Sequence, residues 1–188
     1  MNDETFDDRV YRPKYEQSPY RMRTYQNRYT VMNNLKAQLE WVKRQIEYIA
    51  IAESYKVCYR LNRGEVFEFD WGVNVNAEFS YRHYGVVLKD SAENNPLVLV
   101  CPLKSCRVGE GYPGDVNLGV IPELVTERES IAVIDQIRSL DKLRLNVNPI
   151  INDRMTANVI LKLADSQVDK LMIGLKRMLD NGKTDYKL

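Results

Sequence analysis

Arg63-Gly64-Glu65-Val66-Phe67-Glu68-Phe69-Asp70 is the stretch that decides the fold. Val66-Phe67-Glu68-Phe69 alternates at a period of two and runs into Trp71-Gly72, which reads as a strand ending in a turn. Gly85 to Leu88 and Leu97 to Val100 are short apolar runs of the kind found in strands buried on both faces. Pro96 and Pro102 bound the second run. Residues 106–114, with Gly109, Gly111, Pro113 and Gly114, form a loop. Asp115-Val116-Asn117-Leu118-Gly119-Val120 alternates as a half-exposed strand, and Ile131-Ala132-Val133-Ile134 is another buried one. Many short strands separated by Gly and Pro turns predict a small closed β-barrel.

Helices flank this β region on both sides. After it, Ser166-Gln167-Val168-Asp169 starts a helix with an acidic capping residue, and Val168, Leu171, Met172, Leu175 and Leu179 form its apolar face. Asn181-Gly182 ends it. Before it, Met32, Leu35, Leu39, Val42, Ile46 and Ile49 recur at alternating spacings of three and four, one apolar stripe on a helix running to about Ser54. Such a stripe is expected to be buried, against the chain's own barrel or in a two-fold contact with a second copy. The chain therefore divides into an arm and amphipathic helix, 1–58, and a barrel domain, 59–188.

Residues 9–29 carry Arg9, Arg12, Lys14, Arg21, Arg23 and Arg28 against the single acid Glu16, with Tyr11, Tyr15, Tyr20, Tyr25 and Tyr29 between them. Cations that neutralise phosphates beside rings that stack on bases suit single-stranded nucleic acid. A solvated basic arm whose tyrosines pack on the barrel explains the same residues. Overall the 188 residues carry a net charge of +1, with 44% apolar and 28% charged residues, the composition of a soluble globular chain. No apolar run is long enough to cross a bilayer, and the acidic start (Asp3, Glu4, Asp7, Asp8) is not a signal peptide. Cys58, Cys101 and Cys106 lack metal-ligand spacing, and with His83 as the one histidine they point to reduced thiols rather than a zinc site.

A second motif, Ile134-Asp135-Gln136-Ile137-Arg138-Ser139-Leu140-Asp141-Lys142-Leu143-Arg144-Leu145, follows the first by about seventy residues. Together with Pro102-Leu103-Lys104-Ser105 between them, this order resembles the PemK/MazF family of toxin endoribonucleases over roughly residues 60–180. The resemblance implies a mainly β fold with helices: a small SH3-like, MazF-like barrel followed by a C-terminal helix, here preceded by a long amphipathic helix. It implies a cytoplasmic, cofactor-free and metal-independent enzyme that cleaves single-stranded mRNA. The ribose 2′-hydroxyl attacks the adjacent phosphorus, leaving a 2′,3′-cyclic phosphate and a 5′-hydroxyl. The implied partners are a second copy of the chain and a small antitoxin with a disordered tail. A related barrel serves CcdB-like toxins, which act by protein contact alone.

The family arginine stands just before the second strand. Here that place falls on Arg82 or His83, according to register, and neighbouring strand residues face opposite ways. An imidazole can move a proton near neutrality; a guanidinium grips a phosphate and keeps its charge. The family threonine is replaced by Lys104, and Ser105 keeps the neighbouring serine. Lys104 would supply charge at the scissile phosphate and Ser105 a hydrogen bond. Gln136 and Arg138 are expected to shape the groove or touch RNA. The loop 71–81 is expected to form a flap in which Phe79 or Tyr81 stacks on a base.

Overall fold

The computed structural model describes residues 28–54, 59–75, 78–110, 114–145, 147–151, 154–157 and 159–180, with side chains described for neither 28–32 nor 147–157. The tyrosine-rich basic stretch before residue 28, Cys58 and the Asn181-Gly182 helix stop lie outside these. The chain divides into two compact units, Met1–Glu40 and Trp41–Leu188.

In the second unit the strands are β1 Glu65–Asp70, β2 Arg82–Val87, β3 Leu97–Cys106, β4 Val116–Val120, β5 Glu129–Ala132, β6 Arg138–Asp141, β7 Val147–Ile151, β8 Arg154–Ala157 and β9 Leu161–Lys162. A seven-stranded antiparallel sheet runs β4-β5-β3-β2-β1-β9, with β6 also paired to β3, and β7-β8 is a separate hairpin. The sheet curls as a half-barrel. Among the described residues β4 and β9 do not pair, so the closure expected from the sequence is not reached through that ladder. The mainly β fold with a helix on either side in sequence is otherwise the one the alternation predicts. No helix among the described residues is long and apolar enough to cross a membrane.

Most of β1 and the second half of β2, Gly85 to Val87, are buried, while Arg82 and His83 at the start of β2 are exposed. Phe67, Phe69 and Trp71 point with Val87, Val98, Val100, Leu140, Leu143 and Leu145 into one cluster, while Val66, Val86, Cys101 and Leu103 point into another with Leu118, Ile134 and Leu163. Helix α2, Asp165–Leu179, closes the second cluster with Val168 and Leu171. Its first turn is capped by Gln167, whose Oε1 accepts from Ala164 N, and not by Asp169. Met172 and Leu179, read as part of its apolar face, are exposed.

β3 is longer than its apolar run. Pro102, which reads as a terminator, stands inside it where the strand changes partner: Gly85 pairs with Pro102, and Leu103 pairs with Ala132. A residue without an N–H is best tolerated where a ladder is being exchanged. Lys142, in the second motif, is fully buried and donates from Nζ to Tyr59 O at 2.9 Å and Ala92 O at 2.7 Å, while Tyr59 OH donates to Lys142 O at 2.5 Å. Burial lowers its pKa. It pins the entry to the barrel to the end of β6.

Helix α1, Arg28–Ser54, does not present the expected face to the barrel. Within the second unit, Trp41 is buried, Arg44 and Tyr48 are half-buried, and Tyr48 and Ile51 pack on the first cluster. Val42, Ile46 and Ile49 are exposed. In the first unit, Leu35 and Leu39 are exposed as well. The stripe with tidy spacing is thus the outer face, and the face that docks mixes aromatic with polar residues. Gly72 explains the fit at Trp41. It holds φ +87°, and a Cβ there would stand 2.8 Å from the Trp41 ring, so only glycine lets the indole seat. Trp41→Ala removes that wedge and is expected to cost about 3 kcal/mol, read as a fall in the denaturant midpoint at unchanged slope.

Candidate functional site

The geometry begins at Asp70, the last residue of β1. Its carboxylate is almost fully buried. Oδ2 accepts from Tyr48 OH at 2.9 Å and lies 3.0 Å from Arg44 Nε, and Oδ1 accepts from Gly72 N at 3.1 Å. Burial, then the Asp70 charge and its hydrogen bond, push the Tyr48 phenol up to about 12. A buried carboxylate needs partners of this kind, and here α1 supplies two of them. Trp41 lies beneath two guanidiniums, Arg144 at 4.8 Å and Arg44 at 5.6 Å from the ring centre. None of these α1 contacts is legible in the strand motifs.

From Gly72 the chain enters the loop to β2. The loop closes on itself: Trp71 N donates to Tyr81 O at 2.9 Å and Tyr81 N to Gly72 O at 2.6 Å, with Tyr81 at φ 66°. Three side chains then fasten it. Asn74 Nδ2 donates to Trp71 O and Phe79 O at 2.9 and 2.7 Å. An Arg138 terminal nitrogen donates to the same two carbonyls at 2.9 and 3.1 Å, with its guanidinium 5.1 Å from the Trp71 ring centre. Gln136 Oε1 accepts from Phe79 N at 3.2 Å. Gln136 and Arg138 therefore act on the backbone of the loop, and the base of the expected flap is tied down by them.

Phe79 is already engaged. Its ring stands edge-on between Trp71, 5.3 Å away, and His83, 4.8 Å away. Trp71 Nε1 donates to His83 O at 3.1 Å, which fixes the start of β2 under the loop. The close stack of Phe69, Trp71 and β2 depends on Gly85, where a Cβ would meet Trp71 at 2.9 Å and Phe69 at 3.0 Å. Tyr81 is the exposed aromatic of the loop.

Arg82 and His83 diverge as strand neighbours must. Arg82 pairs with Asp70 across the hairpin and lines a small cleft with Tyr48, Glu68, Arg144 and Leu145. His83 pairs with Phe69 and lies against Phe79. Partial burial lowers the His83 pKa, partly opposed by Glu68. Burial, and then the charge of Arg144, lower that of Arg138. The structure thus brings Phe79, His83, Gln136 and Arg138 into one cluster and sets Arg82 beside it on the side of α1.

Lys104 and Ser105 stand on β3 just beyond its last pair with β2, at the same end of the two strands as His83. Lys104 Nζ forms an ion pair with Asp115 Oδ2 at 2.6 Å, and Ser105 pairs with Ser130 of β5. The ammonium is therefore matched by a carboxylate from the foot of β4. Asp115 is eleven residues further on, and no sequence signal tied it to Lys104.

The single imidazole allows a direct check of the site's electrostatics. A lowered folded pKa means that the unfolded chain binds the proton more readily. His83 thus contributes stability that is complete above 6.5 and is lost as the pH falls through its folded pKa. An NMR titration is expected to show the one histidine with its midpoint below 6.5, moving back toward 6.5 in Phe79→Ala, which wets the ring.

Residues 62–179 match the family model for the PemK-like, MazF-like toxin of type II toxin-antitoxin systems. Solved structures similar to the chain include MazF from Deinococcus radiodurans, 21% identical, covering 65% of this chain and 98% of that one at a TM-score of 0.46. The MazE-MazF complex of the same organism is 22% identical, over 64% and 96%, at 0.42. An endoribonuclease in complex with its cognate antitoxin, from a mycobacterial species, is 17% identical, over 64% and 95%, at 0.44. No curated protein matches the chain.

Proposed function

Starting from the chain's membership of the PemK-like, MazF-like toxin family, we propose that it is a metal-independent endoribonuclease acting on single-stranded RNA in the cytoplasm. The observation that carries this reading is the family match over residues 62–179, with Arg82 and His83 side by side at the start of β2, where the family arginine is expected. An imidazole neutral at physiological pH can accept a proton without first losing one. In the proposed step the 2′-oxygen of one nucleotide attacks the adjacent phosphorus. Its proton passes to His83 Nε2 or Nδ1, the P–O5′ bond breaks, and the departing 5′-oxygen takes up a proton. Arg82, permanently charged, would balance the charge that gathers on the phosphoryl oxygens. Ser105 would donate a hydrogen bond to the same group.

Lys104 joins this scheme only if the phosphate replaces Asp115 at its ammonium. That ion pair is also the one specific observation favouring the second reading, a CcdB-like toxin that works by protein contact. Tyr81, exposed at the loop, is the residue offered for base stacking. Phe79 serves instead as the wall on which His83 rests, and Gln136 and Arg138 hold the loop that carries both. The partners proposed are a small antitoxin, whose disordered tail would fill the groove, and a second copy of the chain.

The test is incubation with a long single-stranded RNA in the presence of chelator. Cleavage is expected to persist and to leave 2′,3′-cyclic phosphate and 5′-hydroxyl ends. His83→Ala and Arg82→Ala are each expected to slow it by roughly 10²-fold or more. Products with 5′-phosphates, loss of cleavage with chelator, or full rates in both variants would each contradict the mechanism. Absence of cleavage by the parent chain would favour the second reading.

A further inference from the structure

Helix α1 has two faces, and only one is accounted for. Counting Leu39 as the first position of a heptad, Ile46 is also a first position, and Leu35, Val42 and Ile49 are fourth positions. Trp41 and Tyr48 fall on third positions, Arg44 and Ile51 on sixth positions, on the opposite side of the helix. That opposite side is the one held by the strands, through Trp41 on Gly72, Tyr48 and Arg44 on Asp70, and Ile51 on the first cluster. The first and fourth positions face away. Val42, Ile46 and Ile49 are 49%, 61% and 62% exposed, and the two preceding seam residues of the same helix, Leu39 and Leu35, are 63% and 54% exposed. Scattered exposed leucines need no explanation, but five in heptad register do.

We infer that this face pairs with the α1 helix of a second copy of the chain, parallel and in register. Three observations select that occupant. The first is the repeat: a strict alternation of three and four is the spacing at which first meets first and fourth meets fourth in a two-stranded coiled coil. The second is the flanks. The positions beside the seam are Gln38 and Gln45 on one side and Lys36 and Lys43 on the other. A parallel pair sets Gln38 against the partner's lysine flank, with no like charges opposed. An antiparallel pair would set lysine flank against lysine flank. The third is area. Five side chains this exposed offer on the order of 500 Å² per copy, hence about 1,000 Å² for the pair, the size at which a specific contact becomes sustainable.

The seam is short for a free coiled coil. Here, however, the stretch from Trp41 to Ile51 is held in advance by its anchors on the strands, so pairing does not have to supply the entropy of forming that part of the helix. The inference is independent of the RNA reading. It would hold equally for a non-catalytic toxin.

The test uses the full chain with Cys58→Ser and Cys106→Ser, which leaves the buried Cys101 as the native thiol. One cysteine is then added, at Ile46→Cys in the seam or at Glu47→Cys beside it. Under mild oxidation Ile46→Cys is expected to give a disulfide-linked dimer as its main product, at least tenfold faster than Glu47→Cys. Adding Leu39→Asp to Ile46→Cys is expected to abolish the link. The inference is overturned if Ile46→Cys links no faster than Glu47→Cys, whether the protein is then monomeric or paired through another surface. It is equally overturned if chains carrying Leu39→Cys and Val42→Cys link to one another in preference, since that reports an antiparallel pair.

Discussion

The buried carboxylate of Asp70 is the constraint on which the rest of the second unit depends. It ends β1, and its oxygens are divided among Tyr48 and Arg44 of α1 and the amide of Gly72. One acid thereby joins three things: the helix before the barrel, the strand β1 that it ends and the loop that leads to the candidate site. A carboxylate so deeply buried would be costly if any of these were missing, because an unpaired charge in the interior destabilises far more than the pair stabilises. The same acid stands opposite Arg82 in the hairpin. The helix that precedes the barrel is therefore part of the framework that sets the strand carrying Arg82 and His83.

Beyond Asp70 the arrangement is a succession of aromatic contacts held in place by backbone hydrogen bonds. Phe67, Phe69, Trp71, Phe79 and His83 follow one another edge to face, at separations of 4.8 to 6.2 Å. Their order is fixed by Gly85, which lets two rings approach the strand, and by Asn74, Gln136 and Arg138, which hold the loop carbonyls and amide. The lowered pKa of His83 is a product of this packing: the ring is partly desolvated against Phe79 more than it is compensated by Glu68.

Much of the β architecture was legible in the chain: β1 and β4 stand close to where alternation puts them, β2 and β5 close to where short apolar runs do, and the C-terminal helix where its helical period does. Pro102 misleads because proline is read as a terminator, whereas a strand that changes partners can carry it. Helix α1 misleads for a deeper reason. Periodicity says that a face is apolar but not which surface it meets, and a face built from Trp41, Arg44, Tyr48 and Ile51 does not register as apolar at all. That Gln136 and Arg138 stand near the groove was implied by the family resemblance alone, and their hold on the loop backbone was not legible in either motif. The pairing of Tyr48 with Asp70 and of Lys104 with Asp115 was not legible either, since both join polar side chains on separate elements with no motif linking them.

The claim that Asp70 couples α1 to the loop is tested most directly by amide hydrogen exchange in Asp70→Ala against the parent chain. The amides of Gly72, Phe79 and Tyr81 and those of the second half of α1 are predicted to lose protection together, by about tenfold or more, as loss of roughly 1.4 kcal/mol from a shared contact requires. Loss confined to the helix, with the three loop amides exchanging at parental rates, would contradict the account.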